Sequence, residues 1–210
     1  MKKLCILIAF VLIVPYGAIA KESSKEGDWD FRIAIYWINN FFTKPDEEKN
    51  KSSTGFLGLA FGLDYYHSEH SFINLGIAGA MDFFLPFPAA VATMPGTQYE
   101  NMASAHISLS NNHKIVDFAI GYGLSYALNH WNTGCSPGLS GKKEEVCDGS
   151  IYEARRTHGS FGLIFPTSYQ ITENFDIGFA YRPTFYRPSI AADKFAYEHL
   201  ISFVLGKQIF

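Results

Sequence analysis

Beyond residue 20 the chain has no apolar stretch approaching the roughly 20 residues that a membrane-spanning helix needs. A helical anchor in the mature chain is thereby excluded. Charge of one sign is missing too: the formal net charge is −3. A basic footprint for nucleic acid is absent with it. Cysteine is scarce, with three in 210 residues. Lysine is absent from the middle of every segment that alternates in hydrophobicity. Lys44, Lys49, Lys51, Lys142, Lys143 and Lys194 fall in long connections, and Lys114 and Lys207 near the opposite ends.

The start of the chain reads as an export signal. Met1-Lys2-Lys3 is followed by an apolar run from Leu4 to Pro15, then by Ala18-Ile19-Ala20 before Lys21. A basic start, a short apolar core and a small-x-small site predict removal of residues 1–20. Cys5 lies inside the removed part and not at the cleavage point, so it is no lipid-anchor cysteine. Residues 21–210 are one domain on length alone. Cys135 and Cys147 survive cleavage, and an even count in an exported chain predicts that they pair. The loop they would close is short, which gives about 3 kcal/mol in the chain-entropy treatment.

What the chain does have is period-two alternation, since successive strand side chains point to opposite faces. Trp29–Asn39 sets Trp29, Phe31, Ile33, Ile35 and Trp37 against Asp30, Arg32, Ala34 and Tyr36. Thr54–Tyr66 sets Leu57, Leu59, Phe61, Leu63 and Tyr65 against Gly58, Ala60, Gly62 and Asp64. Further strands are predicted at Ser71–Phe83, Tyr99–Ser110, Lys114–Asn129, Tyr152–Tyr169, Phe175–Tyr186 and Tyr197–Phe210. Short turns are predicted at 67–70, at Asn111-Asn112-His113 and at 171–174. The connections then alternate long and short, with both ends of the chain on the short-turn side. Even-stranded outer-membrane barrels show this pattern, with short periplasmic turns and long outer loops. Aromatics at 16% and 18 glycines suit such a protein.

The sides of the strands settle its polarity. The charges within strands are Arg32, Asp64, Asp82, Asp117, Arg156, Asp176 and Arg182, all on the small, glycine-rich face. A soluble barrel of the lipocalin kind would have a polar exterior and an apolar interior. Here the expected arrangement is the reverse. A lipid-facing charge would cost about 2–4 kcal/mol at mid-membrane. The fold class is therefore all-β: an eight-stranded antiparallel transmembrane up-and-down barrel. Asp64 is the expected partner of Arg32, on the neighbouring strand.

On strand count, loop alternation and the terminal Phe210, residues 29–210 resemble the eight-stranded outer-membrane proteins of the OmpA/OmpX type. The resemblance implies a bacterial outer-membrane location, contact with outer-membrane lipid and lipopolysaccharide, and recognition of the last strand, ending at Phe210, by the barrel-assembly machinery. It implies a monomer whose porin-like barrel is filled by side chains, with no cofactor. No domain is expected beyond the barrel. The last strand departs from the usual assembly pattern, because Leu205, Phe203 and Ile201 have the opposite parity to Phe210. A bulge near Gly206 would restore the register. Pro183 cannot donate to a ladder, which predicts a kink near the outer end of the seventh strand.

Two stretches carry candidate chemistry. His106-x-Ser108 and His158-x-Ser160 each put a base and a hydroxyl on one strand face, as nucleophilic catalysis requires. The outer-membrane lipid A deacylases are barrels with a similar His-x-Ser pair and an acidic partner. In that family the pair addresses lipid from the outer surface. In this chain both pairs face the lumen, with Arg32, Asp64, Asp82, Asp117, Arg156, Asp176 and Arg182, so a locked polar filling is the favoured reading and a lipid hydrolase the alternative. His67-Ser68-Glu69-His70 lacks a fourth ligand, and no metal site is expected. Lys44–Lys49 reads as a solvated loop. The connection after the third strand is unusual in being apolar, and Phe84, Leu85, Phe87, Val91 and Met94 are its candidate contact residues. It either caps the mouth or adheres to a partner or lipid.

Overall fold

The computed structural model describes residues 25–83, 98–135, 153–172, 174–188 and 194–209. Eight strands follow one another: β1 (Trp29–Thr43), β2 (Lys51–Ser68), β3 (Ser71–Phe83), β4 (Gln98–Ile115), β5 (Phe118–Cys135), β6 (Ala154–Thr172), β7 (Phe175–Tyr186) and β8 (Phe195–Gln208). Each pairs antiparallel with the next, and β8 returns to β1, from Arg32 opposite Gln208 to Phe42 opposite His199. The ring is closed, which removes the unpaired edges that an open sheet would expose. Among the described residues no helix is long and apolar enough to cross a membrane.

The alternation seen in the sequence becomes an inside and an outside. Leu59, Leu75, Ile77, Leu109 and Leu124 are each half exposed or more, on the outer wall. Their strand neighbours Ala60, Asn74, Ser108 and Ser125 turn into the lumen. Aromatic rings gather toward the ends of the wall. Trp29 lies 4.7 Å from Tyr65 near the short-turn end. At the other end Phe42, Tyr181, Phe185, Tyr197 and His199 form one patch, and the Tyr181 and Tyr197 hydroxyls are 2.7 Å apart. Amphipathic rings at both rims of an apolar band are what a lipid bilayer selects.

The strands run further than alternation alone indicates. β1 continues to Thr43 because its register shifts against β8 between Tyr36 and Ile38, the signature of a bulge at Trp37. Beyond it the parity reverses, so Ile38 faces out while Asn39, Phe41 and Thr43 face in. β2 carries a matching irregularity at Leu57, whose φ is 68°. The buried Asn39 amide donates to the Leu57 carbonyl at 3.3 Å. An acceptor that the interrupted ladder leaves over is thereby satisfied.

Several expectations are corrected. Asn111, Asn112 and His113 lie inside β4, and the turn comes later, at Val116 and Asp117. Asp117 is thus an exposed turn residue outside the lumen. Gly206 carries no bulge, since β8 keeps one register against β1 and β7 on both sides of it. Its lack of a side chain has another cause. A Cβ there would lie 2.6 Å from the Asp176 carboxylate and 2.8 Å from the Arg32 guanidinium. β7 is irregular near its outer end as expected, although the shift comes just after Pro183, between Thr184 and Tyr186, and Pro183 itself stays in register opposite His199. Residues 1–20, Cys147, the apolar connection from Phe84 to Met94 and Phe210 lie outside the described residues.

A candidate functional site in the lumen

The lumen is layered. Near the short turns, Arg32 forms an ion pair with Asp176 across the β1–β8–β7 seam. This corrects the expected pairing with Asp64, whose carboxylate accepts instead from the Asn74 amide at 2.5 Å. Arg32 opposes Gln208 of β8 and Asp176 opposes Gly206, so the Arg32 side chain passes the glycine to reach Asp176, two strands away. The Lys114 ammonium sits 4.6 Å above the ring of Tyr66 at the same end. Above this layer apolar and polar side chains share the lumen: Ala34, Tyr36, Ala180, Leu200 and Val204 are buried there with Ser108, Ser125, Arg182 and Ser202. Eight strands leave a bore that side chains can fill, and these do so.

Near the outer mouth the filling converges on Glu198, which is 1% exposed. Its Oε1 accepts from Thr43 Oγ1 at 2.7 Å and from the Lys44 backbone N–H at 2.8 Å. Its Oε2 accepts from Ser160 Oγ and from Asn129 Nδ2, both at 2.9 Å. His158 Nε2 lies 2.9 Å from both oxygens. One carboxylate of β8 therefore joins β1, β5 and β6 across the bore. A buried carboxylate is tolerable when its lone pairs are taken by donors, and this one meets that condition.

The donor directions can be read along the network. Asn129 Nδ2 gives its proton to Glu198, so Asn129 Oδ1 is the acceptor of the 2.5 Å bond from Ser104 Oγ. The single Ser104 proton is then used, and His106 Nε2, 2.8 Å from Ser104 Oγ, must be the donor there. His158 Nε2 must likewise donate, because an ionised carboxylate only accepts. Both histidines thus carry a proton on Nε2. Every hydrogen bond of the chain His106–Ser104–Asn129 runs toward Glu198.

The first outer connection enters the same layer. The Arg187 guanidinium, fully buried, donates to the Lys44 carbonyl at 2.6 and 2.8 Å. With Glu198 on its N–H, Lys44 is held at both backbone ends. Pro45 behind it is buried, and the next two residues receive Arg156, through the Asp46 carbonyl at 3.2 Å and the Glu47 carboxylate at 3.4 Å. The stretch read as a solvated loop is folded into the mouth. Backbone clamping explains why composition misled: the stretch is anchored through the peptide of Lys44, which side-chain polarity does not reveal.

The two histidine–serine pairs are both in the lumen, and neither is assembled as a nucleophile. His158 and Ser160 each spend their proton on Glu198. His106 meets Ser104, not Ser108. Catalysis would need the base to receive the serine proton. Of the other residues singled out in sequence, Arg32, Asp64, Asp176 and Arg182 are in the lumen, Asp82 is half-buried, Arg156 is at the mouth and Asp117 is in a turn. Cys135 is buried at the outer end of β5. Sequence reasoning missed Thr43, Lys44, Asn129 and Arg187. The signal it had was Glu198, the one acidic residue on the lumen face of the last strand.

No protein-family model matches the chain, and no curated protein matches its sequence. Solved structures do match it. The attachment invasion locus protein Ail of Yersinia pestis aligns with a TM-score of 0.54 at 12% identity, over 88% of this chain and 99% of that one. Neisserial surface protein A aligns at 0.46 and 11%, over 86% and 96%. OprG of Pseudomonas aeruginosa aligns at 0.45 and 13%, over 88% and 98%. The likeness is one of fold. The chain has the closed, eight-stranded, up-and-down architecture of the small bacterial outer-membrane barrels, and its apolar outer wall is the face such a barrel gives to lipid.

Proposed function

We propose that this outer-membrane barrel is a closed, non-catalytic scaffold that displays four outer loops for surface interaction. The observation that carries this reading is the clasp at the mouth, where Glu198 and Arg187 hold the two backbone ends of Lys44 and Pro45 is buried behind it. A passage for solutes would have to break that clasp. With the bore committed to side chains, what remains free to meet a partner is the outer rim. The apolar connection containing Phe84, Leu85, Phe87, Val91 and Met94 is the leading contact segment, and the aromatic patch on β1, β7 and β8 is the face that meets lipopolysaccharide in this reading. Recognition of the last strand by the assembly machinery belongs to the same reading.

The test has two arms. Full-length protein in liposomes should release no small fluorescent solute, and leakage would contradict a closed scaffold. Cells displaying the protein with Phe87 and Val91 both changed to serine should assemble the barrel normally and lose surface binding. Binding unchanged by that substitution would remove the contact role from the segment.

A further inference from the structure

Arg182 is a cation that the fold does not neutralise. It projects from β7 into the middle of the lumen and is 3% exposed. Its guanidinium sits 4.9 Å from the ring of Tyr36 and donates one hydrogen bond, from Nη2 to the Tyr36 hydroxyl. Its Nε and Nη1 have no partner, and neither has Thr184 Oγ1, the next lumen-facing position on β7. Among the described residues no carboxylate pairs with Arg182. Glu198 stands opposite Thr184, one inward level or about 7 Å further along the strand. Its oxygens are already occupied by five donor groups. Asp176 is committed to Arg32, and Asp64 to Asn74.

Arg182 also faces space. A cavity of about 80 Å³ lies below it, bounded by Ala34, Tyr36, Ser108, Asn112 and Val204 among others. A smaller one of about 10 Å³ lies above, bounded by Ser104, His106, Asn129 and Thr184. At roughly 30 Å³ for a water-sized body, the lower cavity has room for two or three. An unpaired charge in such surroundings is far more costly than a neutral polar group. The two unmet guanidinium N–H groups call for an acceptor, an anion answers them more strongly than a neutral group, and the space limits its size.

We propose that the Arg182 guanidinium holds a small monovalent anion of the halide class in the larger lumen cavity below it. The lower cavity accommodates a chloride with one or two waters, whereas the hydrated phosphate or carboxylate of a larger ligand exceeds it. His106 Nδ1, a lone pair in the tautomer set by Ser104, borders the small upper cavity and not the one below Arg182, so it does not touch the ion. The anion would be structural, satisfying a guanidinium whose Nε and Nη1 meet no acceptor among the described residues.

The protein refolded and crystallised from sodium bromide decides the matter. An anomalous peak in contact with the Arg182 guanidinium is expected in the unmodified barrel, and a map without one overturns the proposal, as does a peak that persists in Arg182→Gln. Unfolding in detergent gives a second reading that needs no variant crystal. The midpoint of the unmodified protein should be a few degrees higher in chloride than in gluconate at equal ionic strength, and the difference should vanish in Arg182→Gln. Equal midpoints in the two salts would show that water alone solvates Arg182.

Discussion

Replacing Glu198 by alanine removes the acceptor shared by Thr43, Lys44, Asn129, His158 and Ser160. A buried donor left unsatisfied costs about 1–3 kcal/mol, so five taken independently would reach roughly 5–15 kcal/mol on that scale. Two effects reduce the sum. Lys44 and Asn129 are near the mouth, where water can enter the space left behind. Network members also lose their bonds together, so their costs do not add. Breaking one side of a buried ionic or charge-assisted pair costs about 3–5 kcal/mol, and that is the expected loss for Glu198→Ala. Glu198→Gln keeps one acceptor oxygen but turns an amide donor toward other donors, and should lose about 1–3 kcal/mol. Urea unfolding in micelles, followed by the fluorescence of Trp29, Trp37 and Trp131, measures both. The order unmodified, glutamine, alanine is predicted. An alanine variant within about 1 kcal/mol of the unmodified protein would refute the reasoning, since one ordinary hydrogen bond is worth that much.

Other outcomes follow from single positions. Gly206→Ala should destabilise by about 1–3 kcal/mol through overpacking, because its Cβ would strike the Arg32–Asp176 pair; the same unfolding assay reads it, and a neutral result would mean the pair moves aside freely. Leu124→Lys, at a position 67% exposed on the outer wall, should cost about 2–4 kcal/mol in lipid, and no cost would place that wall in water. His106→Ala and His158→Ala should leave the lipid A acylation pattern of the host unchanged, while loss of an acyl-chain cleavage would establish the hydrolase. Cys135 and Cys147 should resist thiol labelling in protein taken from the envelope until a reductant is added, and immediate labelling of both would show that they do not pair.

The strand faces were legible because alternation is enforced by the pleat itself. Arg32, Asp176 and Arg182 point inward as their parity requires, and Ile77 and Leu124 point outward for the same reason. Parity fails as a guide where a bulge resets it, and the bulge at Trp37 has neither glycine nor proline to announce it. Val116 shows the converse. Asn111-Asn112 has the composition of a turn, yet the ladder continues through both and the chain reverses at a valine with φ of 57°. That conformation is unfavourable for a β-branched residue, so no local preference predicts it; the pairing of β4 with β5 from Gln98–Cys135 to Ile115–Phe118 imposes it. The meeting of Glu198 with Thr43, Asn129 and His158 depends on which strands face each other across the bore and on their stagger. Sequence pattern contains neither; it placed His158 and Ser160 in the lumen as polar filling, with a hydrolase as the alternative, and had no means of showing that both meet Glu198.

The central claim is a barrel turned inside out, apolar toward lipid and filled within. Single cysteines placed from Tyr122 to Leu128 on β5, in a background without Cys135 and Cys147, can carry a fluorophore quenched by brominated lipid chains. Quenching is predicted at Tyr122, Leu124, Tyr126 and Leu128, and protection at Gly123, Ser125 and Ala127. Quenching without alternation, or with the opposite parity, would contradict the account.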